Sequence, residues 1–295
     1  MNDKFTISQF LNRFPNDKAC LEEIKNLRWP SGLIPCKECE KATPHYKVTG
    51  RKSYACQWCG SHIYPLARTI FDQSPTPLRL WFYAIYIMAQ TRAGISAKQL
   101  QRELGVTYKT AWRMFKQIRM LMNDTTGTPL TGTVEMDETF VGGKAKNRTK
   151  LWNPDTDMKE VVFGAVERGG KAYLKHVPNT GKWTLLKQIQ EHVSPKARVI
   201  TDEYKSYTQL PRFGYRHDWV NHRWEHVRGD IHTQNIENVW SHLKRGIRGV
   251  YRVVSRKYLQ AYVDEYAFRY NNRKVGGKMF DLILTQVPNV KVLRV

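Results

Sequence analysis

The 295-residue sequence contains no apolar run approaching the roughly 18 residues that a membrane-spanning helix needs. Its first residues, MNDKFTISQF, carry neither the basic opening nor the apolar stretch of a secretion signal. A membrane or exported protein is disfavoured, and a cytoplasmic one is expected. Cysteine is scarce: the five present, four of them in two close pairs, argue against a disulfide framework in a chain without such a signal. No internal repeat or low-complexity segment is seen, which argues against a solenoid. Acidic residues are the conspicuous shortage. Twenty-six Asp and Glu face 48 Lys and Arg, a formal net charge of +22, and the pI is near 9.8. That imbalance favours a polyanionic partner, because each phosphate neutralised releases condensed counterions. No basic amphipathic helix with a bulky apolar face stands out, so nucleic acid is expected rather than a membrane surface.

What is there describes a folded chain of two or three modules, with 41% hydrophobic and 12% aromatic residues. Residues 1–35 read as an N-terminal helical leader and 36–66 as a small metal-binding unit. Residues 75–123 read as helical, with Pro75 and Pro77 ahead of the first helix. The run Asn123-Asp124-Thr125-Thr126-Gly127-Thr128-Pro129 is a linker. Beyond it, residues 130–295 alternate strands and helices. Strands are expected over 132–141, 161–167, 171–177, 198–201 and 215–220, and helices over 184–193, 204–209, 233–244 and 255–271. That order predicts an α/β domain, a mixed sheet with flanking helices.

The cysteines define a metal site. Cys36-Lys37-Glu38-Cys39 and Cys56-Gln57-Trp58-Cys59 are two CxxC knuckles 16 residues apart. Four thiolates at that spacing can close tetrahedrally on one Zn²⁺, and a closed four-sulfur site is structural rather than catalytic. Pro35 and Gly60 suit the knuckle turns, and Tyr46, Tyr54 and Tyr64 are candidates for the apolar cover. Cys20 stands apart as a buried apolar residue.

Residues 96–113 have the proportions of a helix-turn-helix. Ser96 is placed to cap the first helix, Ala97, Leu100 and Leu104 face inward, and Gly105 turns the chain. Thr107 is placed to cap the second helix, which offers Tyr108, Lys109, Thr110, Arg113 and Lys116 to the phosphates and base edges of double-stranded DNA.

Three acidic positions suit phosphodiester chemistry. Asp137 lies in the apparent strand Thr133-Val134-Glu135-Met136-Asp137-Glu138-Thr139, Asp202 ends the buried run 197–202, and Glu237 lies in a helical pattern. In-line attack at phosphorus is served by two metal ions, one at the attacking and one at the leaving oxygen. Mg²⁺ takes hard oxygen ligands and keeps several waters, so two or three carboxylates suffice. Lys244 follows Glu237 by about two helical turns and is placed to reach DNA beside the metals. Between Glu237 and Asp264 no acidic residue occurs, while Lys244, Arg245, Arg248, Arg252, Arg256 and Lys257 all do. Tyr251 and Tyr258, interleaved there, are candidates for stacking on unpaired bases. His217, His222, His226 and His232 are not spaced as a second zinc site.

These segments together resemble the bacterial insertion-sequence DDE transposases related to the eukaryotic Merlin elements, over nearly the whole chain. The resemblance is carried by Met136-Asp137-Glu138-Thr139-Phe140-Val141-Gly142-Gly143-Lys144, by Thr201-Asp202-Glu203-Tyr204, and by the run from His232 to Gly246. Phe268-Arg269-Tyr270-Asn271-Asn272-Arg273 matches the closing helix. It implies a zinc ribbon and a helix-turn-helix ahead of a ribonuclease H-like catalytic domain. It further implies Asp137, Asp202 and Glu237 as the catalytic, metal-holding triad, with Mg²⁺ or Mn²⁺ as cofactor. The implied activity cleaves the element's terminal inverted repeats and joins them to target DNA, in a homodimer or higher oligomer on the nucleoid. Gln234 departs from the Asn common in relatives. Some relatives carry Asn or His at the third ligand, which leaves Asn235, Asn238 and His242 as local alternatives to Glu237. The competing reading is a non-enzymatic zinc-ribbon and helix-turn-helix regulator with a repurposed C-terminal domain.

Overall fold

Local capping starts the first two helices. Thr6 and Gln9 form a reciprocal capping box ahead of α1 (Ile7–Arg13), and Asn16 accepts from the Ala19 N–H ahead of α2 (Asp17–Arg28). The structure, a computed structural model, describes residues 4–123, 127–142, 159–221, 224–225 and 227–290. It divides into two units, Met1–Met122 with Val275–Val295, and Asn123–Lys274.

In the first unit, strands β1 (Leu33–Cys36), β2 (Lys41–Lys47), β3 (Tyr54–Cys56) and β4 (His62–Ile63) form an antiparallel ribbon in sequence order. Helix α2 joins it, for the buried Tyr54 donates its hydroxyl to Glu22 at 2.6 Å. Tyr46 and Tyr64, expected to cover the metal, are instead exposed; only Tyr54 is buried. Helix α3 (Leu78–Gln90) begins after Pro77, which has no side chain to cap it. Asp17 takes the Leu78 and Arg79 N–H groups at 2.9 and 2.8 Å from 61 and 62 residues away. Helices α4 (Ala97–Leu104) and α5 (Tyr108–Met120) carry the expected caps, Ser96 on Gln99 N–H and Thr107 on Thr110 N–H. Between them Gly105 sits at φ +64, the left-handed conformation that the tight turn requires.

The second unit is a five-stranded sheet flanked by helices on both faces. Strands β5 (Thr133–Val141), β6 (Glu160–Glu167) and β7 (Ala172–Val177) run antiparallel in succession, whereas β8 (Arg198–Thr201) pairs parallel to β5 and β9 (Arg216–Trp219) parallel to β8. The order β7-β6-β5-β8-β9 is the ribonuclease H-like arrangement. Alternation along β5 sends Val134 and Met136 into one core with Leu185 and Ile189 of α6 (Lys182–His192). The opposite face packs on α7 (Gln234–Gly246) and α8 (Arg256–Asn271), with Ile236, Trp240, Leu243 and Val263 buried.

One sequence expectation shifts. The helix expected over 204–209 is one 3₁₀ turn, Lys205–Tyr207, ahead of a second at Leu210–Phe213. The Asn271 amide of the closing-helix motif gives and takes hydrogen bonds with Ala172 (2.7 and 3.1 Å), so it seals one end of strand β7. Residues 275–295, read as part of the span 130–295, cluster with the first unit. Helix α9 (Met279–Leu284) belongs to the first unit, because Phe280 is buried among Phe5, Phe10, Phe14 and Phe82. Among the described residues no helix is long and apolar enough to cross a membrane.

Candidate active site and metal centres

The α7-facing side of β5 carries Glu135 and Asp137, two residues apart on one face. Strand β8 pairs beside β5 in the register Thr133↔Arg198 to Glu135↔Ile200. Continued two residues, that register sets Asp137 beside Asp202. Asp202 begins the turn after β8, its Oδ1 accepting from the Tyr204 N–H at 3.0 Å. Glu237 stands in the first turn of α7, where the helix dipole favours a carboxylate. Its Oε1 accepts from Thr233 Oγ1 at 2.8 Å. One turn further, Trp240 donates its indole N–H to Asp137 Oδ2 at 2.9 Å, so Glu237 and Asp137 belong to one helix-strand contact.

Gly164 makes that contact possible. It pairs with Asp137 across β5 and β6. A Cβ at Gly164 would lie 2.5 Å from the Trp240 ring and 2.7 Å from Ile236 Cδ1. Only a bare backbone lets α7 lie this close to the sheet.

The electrostatics follow from the crowding. Burial first, then the charges of Asp202 and Glu237, push the Asp137 carboxyl up to about 6, although the Glu138 backbone N–H and Trp240 pull it down. Glu138, on the opposite face, is driven up to about 8 by burial, although it accepts a hydrogen bond from the buried Tyr207 hydroxyl. A carboxyl raised by neighbouring carboxylates marks a site short of positive charge, and hard oxygen donors suit Mg²⁺ or Mn²⁺. The carboxylates are nonetheless more spread than the cysteines. Among the described residues only Cys36, Cys39, Cys56 and Cys59 bring three or more metal-ligand atoms within 4.8 Å of one another.

Those four sulfurs fit zinc. The Cys36–Cys59 and Cys39–Cys56 separations are 3.5 and 3.8 Å, near the roughly 3.8 Å edge of a tetrahedron with about 2.3 Å Zn–S bonds. Backbone N–H groups of the knuckles favour thiolate, Cys39 N–H lowering the Cys36 thiol and Cys59 N–H bringing Cys56 down to about 5. Cys39, sharing a proton with Cys59 and crowded by the other sulfurs, is raised to about 12. Four thiolates do not coexist without a cation, and Zn²⁺ supplies the missing charge.

A family model described as an ISXO2-like transposase domain matches residues 129–271, and a transposase zinc-ribbon domain matches residues 15–62. A transposase-like protein of Haemophilus influenzae is 30% identical over 109 residues, 37% of this chain and 88% of that relative. The chain belongs to the ISXO2-like transposase family. An uncharacterised protein in transposable element ISH50 of Halobacterium salinarum is 25% identical over 287 residues, 91% of this transposase and 95% of the relative. The Mos1 transposase paired-end complex with left transposon end covers 70% of this chain and 78% of that one. Its 12% identity and TM-score of 0.26 carry no weight. The zinc-ribbon match begins at residue 15 and takes in α2, which the Tyr54–Glu22 bond ties to the ribbon.

In this transposase the residues expected to meet DNA divide into two groups. Tyr108, Lys109 and Lys116 are exposed on α5, and Thr110 is half-buried with its hydroxyl 3.0 Å from that of Thr107. Arg113 is turned inward, donating to Ser74 Oγ at 2.8 Å with its guanidinium over the Trp81 ring. Arg245 and Arg248 are exposed beyond α7's buried stripe, Arg245 donating to Ser241 at 2.8 Å, while Lys244 is half-buried. Tyr251, read as a stacking platform, packs edge-on against Tyr262 and donates to Glu265. Of the alternative third ligands, Asn238 and His242 are exposed, whereas Asn235 gives its side-chain N–H to Glu135 at 2.8 Å. Gly143, Lys144, His222 and His226 lie outside the described residues. Sequence reasoning passed over Glu135, Trp240 and Gly164; of these only Trp240 and Gly164 carried a local hint, an aromatic one turn after Glu237 and a lone glycine in an apolar strand.

Proposed function

We propose that this transposase cleaves the ends of its element and joins them to target DNA, with Asp137, Asp202 and Glu237 holding two Mg²⁺ or Mn²⁺ ions. Bound there, the ions supply activation of the attacking oxygen and charge stabilisation at the leaving oxygen. The observation that carries the reading is geometric: the β5–β8 register runs on to Asp202 beside Asp137, and Trp240, one turn after Glu237, donates to Asp137. Each of the three has an oxygen held by a protein donor, from Trp240, the Tyr204 N–H and Thr233 respectively, which limits how far the ligands swing. Exposed Tyr108, Lys109 and Lys116, with Thr110, read duplex DNA at the terminal inverted repeats, and Lys244, Arg245 and Arg248 hold phosphates near the carboxylates. A dimer or higher oligomer, working on the nucleoid, brings two ends together.

The test uses duplex DNA carrying the inverted repeats that flank the reading frame. Asp137→Asn, Asp202→Asn and Glu237→Gln should each abolish Mg²⁺-dependent strand cleavage and joining. Duplex binding should survive in all three, and double changes should add little, because one lost ligand already disables the site. Cleavage retained in either aspartate variant overturns the reading. Cleavage retained in Glu237→Gln but lost in Asn238→Ala or His242→Ala moves the third ligand.

A further inference from the structure

Glu135 is fully buried, yet it carries a carboxylate into the sheet-helix interface two residues from Asp137. One oxygen, Oε1, accepts from Arg168 Nε at 2.7 Å and Asn235 Nδ2 at 2.8 Å, with His232 Nδ1 3.3 Å away. The other, Oε2, accepts from the backbone N–H of Asn235 at 2.7 Å and of Ile236 at 3.2 Å. Those amides open α7, and the local cap position, Thr233, makes no side-chain capping bond; its hydroxyl donates to Glu237. A carboxylate from a strand 100 residues earlier therefore does the work of the missing cap. Arg168 completes the strap, donating also to the carbonyls of Asp230 and His232 in the segment that leads into the helix.

Glu237 thus sits between two hooks on one strand. Glu135 holds the helix just before it, and Asp137 holds Trp240 just after it. Two residues of strand advance about 6.8 Å, and the four to five helical residues from 235–236 to 240 advance about 6–7.5 Å. The spacing of the hooks on the strand matches their spacing on the helix.

We infer that Glu135, neutralised by Arg168, is a positioning residue of the metal site: it sets the first turn of α7, and with it Glu237, at its working distance from Asp137. The inference rests on the proposed role of the three carboxylates. A burial of this kind without such a role would affect stability alone. A positioning role affects metal affinity, typically by about 10–100-fold when a group that orients a ligand is lost.

The experiment titrates the full chain with Mn²⁺ alone, read by electron paramagnetic resonance, and follows cleavage against Mn²⁺ concentration. Asn235→Ala removes one donor to Glu135 without stranding a buried charge, and Glu135→Gln removes the ion pair. Both should weaken Mn²⁺ binding about tenfold or more, with zinc content and duplex affinity unchanged. Cleavage should recover as Mn²⁺ is raised, which it should not do in Glu237→Gln. Should Glu135→Gln fail to fold, Asn235→Ala decides alone. Wild-type Mn²⁺ affinity and wild-type metal dependence of cleavage in a folded Asn235→Ala, with Glu237→Gln inactive, overturn the inference and leave the proposed function standing. Cleavage retained in Glu237→Gln overturns both.

Discussion

A single missing side chain decides how near a carboxylate helix can lie to its sheet. At Gly164 an added methyl would fall inside the contact distance of Trp240 and Ile236, both rigid and both buried in the α7 interface. Gly164→Ala is therefore expected to push α7 outward and loosen the Trp240–Asp137 bond. The cost should be about 1–3 kcal/mol of stability, the usual range for overpacking, and cleavage should fall further than that loss of folded protein explains. Thermal unfolding alongside Mg²⁺-dependent cleavage at a temperature where the variant stays folded measures both. Unchanged melting and unchanged cleavage would show that the close approach is not needed.

At the scale of elements, what was legible in the sequence was what is local. Ser96 and Thr107 cap α4 and α5 as their positions foretell, since a cap and its amide lie three residues apart. The strands of the second unit fall within a residue or two of expectation, because alternation on a half-buried sheet is written along the strand itself. Glu135 and Asp17 were illegible for the opposite reason. Each caps a helix far along the chain, and in sequence each is one more acid. Arg113 shows the same limit: in sequence it is one more basic residue on α5, and only the fold reveals its bond to Ser74 and its place over Trp81. The two halves of α5 consequently separate by experiment. Lys109→Ala and Lys116→Ala should each lower the slope of log affinity against log salt by about one. Arg113→Ala should leave that slope unchanged and lower the melting temperature instead. Equal slopes for all three variants would place Arg113 on the DNA.

The whole molecule is not a string of modules laid end to end. The chain leaves the first unit near Met122, builds the sheet unit, and returns at Val275 to finish what it began. Phe280 closes an aromatic cluster whose other members lie at the opposite end of the sequence, stacked 5.1 Å from Phe5 and edge-on to Phe10 and Phe82. Ending the chain at Lys274 should therefore damage the zinc-ribbon and helix-turn-helix unit while sparing the sheet. Losing a fully buried Phe alone typically costs about 3–5 kcal/mol. Hydrogen exchange of the truncated chain measures this: protection should fall in α1 and α3 and persist in β5 and β6. Protection unchanged in α1 and α3 would mean that α9 is dispensable.

That return of the chain bears on how the protein is made. A ribosome delivers residues in order, and units fold as they emerge, yet the aromatic cluster of the first unit stays open until α9 has been synthesised. A message cut short by a frameshift or an early stop yields the ribbon and helices α3 to α5 without Phe280. On the proposed function, such fragments should compete poorly for the element's ends and leave them to chains that also carry the carboxylates.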